Sequence, residues 1–101
     1  MNKYKLTLYV TGKSPKSKKA IKNVMNLCEK VVSDTYTLEI IDTLENPERA
    51  EKARVIATPT LVKESPLPIK RIVGDLSNEE RVLFSLDLSP VFNSDLEENE
   101  K

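Results

Sequence analysis

The stretch Val55–Leu88, "VIATPTLVKESPLPIKRIVGDLSNEERVLFSLDL", decides the fold, and its pattern admits two readings. In the first, "VIATPTLVKE" (55–64) is a strand, "SPLP" (65–68) a loop and "IKRIVGD" (69–75) a second strand. Ser77 and Glu80 then form a capping box for a last helix, "NEERVLFSL", with Val82, Leu83 and Leu86 inward. In the second, Thr58 is an N-cap and Pro59 a first helical residue, so "TPTLVKE" opens a helix. Residues 81–88 then alternate as a strand. Val82, Phe84, Leu86 and Leu88 share one face, with Arg81, Ser85 and Asp87 on the other and Leu83 as the exception. Gly74 lies between the two ambiguous segments, where an unhindered backbone follows either path.

The first half has one reading. "KYKLTLYV" (3–10) sets Tyr4, Leu6, Leu8 and Val10 against Lys5, Thr7 and Tyr9, a strand with one strongly buried face. Tyr9 on the other face is either an interface aromatic or a residue covered by a helix, because parallel sheets are covered on both sides. Ser14 caps a helix that starts at Pro15 and buries Ile21, Val24, Met25, Cys28, Val31 and Val32. "YTLEIID" (36–42) is the next strand, which makes a βαβ unit with parallel strands. Asn46 and Pro47 open a short exposed helix, "NPERAEKAR". With the first reading of the second half, the order is βαβαββα, an α/β thioredoxin-like arrangement. Residues 1–90 form one domain, and 91–101 an acidic and mobile tail with Asp95, Glu97, Glu98 and Glu100.

Composition narrows the function. The 101 residues suit a single domain, and 39% hydrophobic with 32% charged residues is a globular balance. No apolar run reaches the roughly 20 residues of a membrane span, and no secretory leader is recognisable. A lone cysteine cannot close an internal disulfide, which fits a reducing cytoplasm. The positions where thioredoxins hold their reactive cysteine pair carry Lys13 and Lys16, so thiol–disulfide exchange loses its chemistry. Cys28, on the inward stripe, reads as an inert buried thiol. Without histidine, metal and triad chemistry lack their commonest ligand and base, and no cofactor is expected. "TGKS" lacks the first glycine of a phosphate loop.

Charge is unevenly spread. Residues 1–28 contain seven lysines and no acid, within a chain whose formal net charge is zero. Lys13, Lys16 and Lys19 are therefore candidate partner contacts, and self-association is favoured by the asymmetry. Nucleic acid is not the expected partner, because few aromatics accompany the lysines and the tail is acidic.

The combination "LYVTGKSPKS", "IDTLENPERAEKARVIATPTLVKESPLPIKRIVGDLS" and "LDL", covering Lys5 to Leu88, resembles the KaiB family of small clock proteins. The resemblance implies no enzymatic activity. It implies binding to the ATPase ring of KaiC, a RecA-like hexamer, in a clock or stress-timing system. A clock histidine kinase is a further implied partner. It also implies fold switching. The free form is a dimer or tetramer with a rearranged second half, βαββααβ, and the KaiC-bound form is the thioredoxin-like monomer. On this resemblance Gly74 and Asp75 stand in the turn where the two folds part. Pro59 stands where thioredoxin-like folds place a cis-proline, and Pro66 and Pro68 mark a loop that must rearrange. Lys70 and Arg71, just before that turn, are candidate contacts to KaiC or to a second subunit. The alternative function is a thioredoxin-like redox or glutathione-type protein without the usual cysteine pair.

Overall fold

The computed structural model describes residues 4–31 and 36–88. The elements run β1 (Tyr4–Val10), α1 (Pro15–Val31), β2 (Tyr36–Asp42), α2 (Pro47–Lys52), β3 (Thr60–Ser65), β4 (Lys70–Val73) and α3 (Glu79–Leu86). This is the βαβαββα order, with residues 79–86 helical. The expected acidic tail, and the burial expected of Val31 and Val32, lie outside what is described.

The four strands form one sheet in the order β2-β1-β3-β4. β1 and β2 are parallel, with Tyr4 opposite Tyr36 and Val10 opposite Asp42. β3 runs antiparallel to both β1 and β4. Strand alternation then divides the core into two. Leu6, Leu8, Val10, Leu61 and Ile72 face α1 and α3, meeting Ala20, Val24, Leu27, Cys28, Val82 and Leu86. Tyr9, Ile41 and Val62 face the other way and are covered by Ala53 and Val55, just after α2. Tyr9 is 4% exposed, so in this fold it presents no surface to a partner.

The α1 stripe is rotated from the expected one. Val24 and Cys28 are buried as expected and Ile21 is half-buried, but Met25 is 47% exposed, while Ser17, Ala20 and Leu27 are buried. Small residues at 17 and 20 let the first turns of α1 approach the sheet closely, and that sets the rotation. The start of β3 also moves, from Val55 to Thr60. The Val55 N–H bonds back to the Ala50 carbonyl at 2.9 Å, and the Thr60 hydroxyl donates to the Ala57 carbonyl at 2.6 Å, so residues 55–59 are a turn. β4 is shorter than expected, Lys70–Val73. The cap of α3 is Asn78, not Ser77. Its side-chain oxygen accepts the Arg81 N–H at 3.1 Å, while the Ser77 N–H goes to the Asp75 carboxylate. Asn ranks with the best N-caps, so the later start costs nothing.

Three X–Pro bonds are cis: Thr58–Pro59, Ser65–Pro66 and Leu67–Pro68. No helix among the described residues is long and apolar enough to cross a membrane.

Candidate functional site

The C-terminal ends of β1 and β2 and the turn before β3 meet in a hydrogen-bonded layer. The Thr11 hydroxyl lies 2.7 Å from that of Thr58 and 3.1 Å from that of Thr43. One oxygen of the Asp42 carboxylate accepts the N–H groups of Gly12 and Leu44, each at 2.9 Å. Those two bonds hold the Asp42 carboxyl below the usual carboxylate range. Gly12 needs its freedom here: its φ is +65°, and an added Cβ would sit 3.3 Å from Leu44 Cδ1. Ser14 caps α1 by accepting the Ser17 N–H at 3.2 Å, and the Ser17 hydroxyl donates to the Thr11 carbonyl at 2.9 Å. The loop before α1 is thus fastened to the sheet.

Beside this layer is a pocket of about 250 Å³ between α1 and the turn after β4. Lys16 and Lys19 form one wall, Gly74 and Asp75 the other, and Pro59, Ala20 and Leu76 provide an apolar floor. Gly74 has φ +103°, and its N–H bonds to the Pro59 carbonyl at 2.9 Å. The Asp75 carboxylate takes the Ser77 N–H at 2.9 Å. The Ser77 side chain first and then that N–H bond, with Lys19 and Arg81 nearby, keep its pKa below the ordinary value. Five of the residues singled out from sequence therefore meet in one place: Lys16, Lys19, Pro59, Gly74 and Asp75.

The others do not. Lys13 is exposed on the preceding loop, outside the pocket. Lys70 pairs with Asp87 at 3.1 Å, with both side chains about half exposed, so the pair contributes little. Arg71 donates to the Ala53 carbonyl at 2.7 Å and the Arg54 carbonyl at 3.2 Å, pinning the turn after α2. Neighbours on a strand, Lys70 and Arg71 serve opposite faces of the sheet. Pro66 and Pro68 follow the far end of β3, away from Pro59. There the Lys63 ammonium donates to the Pro66 carbonyl at 2.7 Å, and Lys63 is 2% exposed.

Two features escaped the sequence reading. Lys63 lies in a stretch whose lysines are otherwise exposed or half-buried, and no local pattern marks it as buried. Asp87 ends α3 in the left-handed region at φ 57°, and Asp is one of the few side chains that tolerate that conformation. Phe84 is 86% exposed on α3, while Val82 and Leu86 are sealed and Leu88 is 5% exposed.

The arrangement has no reactive thiol. Cys28 is fully covered in the core, and burial pushes its thiol up to about 11, so it stays protonated. No group of three or more metal-ligating side chains is present among the described residues.

These features define a thioredoxin-like domain without thioredoxin's cysteine pair. The fold is shared with the N-terminal domain of Synechococcus elongatus SasA (TM-score 0.67, 23% identity, 81% of this chain and 77% of that one). It is shared equally with mitochondrial thioredoxin 3 of Saccharomyces cerevisiae (TM-score 0.67, 17% identity, 86% and 79%). The profile described as KaiB domain matches residues 7–88, and the chain belongs to the KaiB family. It is 49% identical over 90 residues to the circadian clock protein KaiB3 of Synechocystis sp., spanning 89% of this chain and 88% of that protein. It is 51% identical over 85 residues to the circadian clock oscillator protein KaiB of Thermostichus vulcanus, spanning 84% and 79%.

Proposed function

We propose that the protein is a non-enzymatic regulatory adaptor that binds a KaiC-like hexameric ATPase and changes the fold of its second half in doing so. The observation that carries the reading is the family match across residues 7–88, with relatives named as circadian clock proteins. In this reading the thioredoxin-like fold is the state that binds the ring. A dimer or tetramer with the βαββααβ arrangement is the reservoir, and a clock histidine kinase is a further partner. Burial between subunits makes the balance depend on concentration. The two packings differ by only a few kcal/mol. The output is a clock or a stress timer, acting in the cytoplasm. The exposure of Phe84 supports a second packing, because alternation would bury it with Val82, Leu86 and Leu88.

A pull-down with the cognate KaiC-like ATPase, with and without ATP, tests the adaptor. A complex is expected to accumulate slowly when ATP is present. Absence of any complex after hours at micromolar concentration would remove the reading.

Substitutions at the turn test the switch. Gly74→Ala finds open space around its Cβ but keeps φ +103°, a backbone strain of about 1–3 kcal/mol against the thioredoxin-like state. Asp75→Arg deletes the acceptor for the Ser77 N–H and adds a cation near Lys19 and Arg81. Both variants are expected to favour the rearranged oligomer and to slow ATPase binding. Unchanged oligomer size by light scattering, together with unchanged binding rates, would count against a switch at this turn.

A further inference from the structure

The pocket between α1 and the turn after β4 has walls of opposite character. Lys16 and Lys19 are exposed, and neither is within ion-pair distance of a carboxylate among the described residues. The first turn of α1 holds no acid, so no carboxylate within that turn offsets them. Between these lysines and Asp75 lies the floor: Ala20 and Leu76 are each 4% exposed, and Pro59 is buried. A volume of about 250 Å³ is below the roughly 300–1,000 Å³ of drug-sized ligand sites. It suits one apolar side chain of a peptide better than a cofactor. Gly74 helps, because nothing lies within 4 Å of the Cβ position on that wall.

We infer that this pocket is a docking site for an acidic, extended segment of a partner protein, with one large apolar side chain seated on Ala20, Pro59 and Leu76 and flanking carboxylates paired to Lys16 and Lys19. Asp75 on the facing wall repels an acid there, so the segment enters in one direction with its carboxylates on the α1 side. Charge complementarity selects the occupant. A neutral apolar peptide would leave both ammonium groups unpaired, and a basic one would be repelled by them. The inference deepens the adaptor reading by assigning one contact surface. Its test contains no ATPase, so its failure and that of the pull-down are separate results.

The probe is a fluorescein-labelled peptide with the core Asp-Leu-Glu-Glu, titrated with the full chain at about 0.15 M salt, where screening acts over about 8 Å. A second peptide replaces the leucine by alanine. The variant Lys16→Glu/Lys19→Glu alters the pocket. Lys18→Glu/Lys22→Glu makes the same charge change on α1 beside it, since neither residue lines the pocket. Reversal at 16 and 19 is expected to weaken the leucine peptide by about tenfold or more, and reversal at 18 and 22 by about threefold at most. The alanine peptide is expected to bind about tenfold more weakly than the leucine peptide to the unaltered protein. Equal losses in the two double variants would overturn the inference in favour of a diffuse lysine field. Equal affinity for the two peptides, or no binding at millimolar concentration, would overturn it as well. Circular dichroism of both double variants shows that the fold is retained, which these exposed positions lead us to expect.

Discussion

Replacing Phe84 with lysine is expected to convert the protein to a thioredoxin-like monomer at concentrations where the parent chain associates. Phe84 is 86% exposed on α3, so the change leaves this fold within about 0.5 kcal/mol of the parent. The alternative packing loses much more. There residues 82–88 alternate, and Phe84 shares the inward face with Val82, Leu86 and Leu88. Burying a phenylalanine is worth about 1.5–3 kcal/mol, so the balance moves roughly 10- to 100-fold toward the helical state. Size-exclusion chromatography with light scattering should show the monomer, and association with the KaiC-like ATPase should accelerate. A parent-like oligomer distribution and a parent-like binding rate in F84K would mean that the strand packing is not a populated state.

The second large effect is expected at Lys63. Its side chain is 2% exposed on the core face of β3, and its ammonium donates to the Pro66 carbonyl at 2.7 Å. Withdrawing an ammonium from water costs several kcal/mol, and a hydrogen bond from a charged donor returns about 1.5–3. Lys63→Met keeps the length of the aliphatic stem and removes the charge. The Pro66 carbonyl that loses its donor belongs to a half-buried residue, where water can replace the ammonium. The thioredoxin-like state is expected to gain about 1–4 kcal/mol, the range found when buried ion pairs give way to packed apolar groups. For a domain this size each kcal/mol raises Tm by about 4–8 °C. Calorimetry reads the shift directly. A lower Tm would show that anchoring the Ser65–Pro68 loop outweighs the desolvation of the ammonium.

Both expectations concern the half of the chain where the sequence pattern was ambiguous. Val82 and Leu86 are buried whether 79–88 is read as a helix or as a strand, so they cannot discriminate. Phe84 does discriminate, because a helical turn carries it away from Val82 while a strand keeps the two on one side. The candidate site was legible in pieces. Pro59 and Gly74 were picked out by the ambiguous pattern and, with Asp75, by the family resemblance, Lys16 by its place at a thioredoxin cysteine position and by charge, and Lys19 by charge alone. Their convergence in one pocket was not legible, because Lys16 and Pro59 are 43 positions apart in the chain and only the sheet order brings them together. Tyr9 was read as outward or covered. Ala53 and Val55 are what cover it, and they come from a turn whose path no periodicity describes.

What the sequence by itself determined is the first half and the family. The alternation at 4–10 and 36–42 and the Ser14-Pro15 start define β1, α1 and β2 within a residue or so, because each pattern is long enough to exclude its rival. What only the tertiary structure decided is the state of 58–88, the rotation of α1 that buries Leu27 and leaves Met25 in water, and the burial of Lys63. Those outcomes depend on which surfaces stand opposite, and a segment with two equally good hydrophobic faces takes its shape from the neighbours it meets.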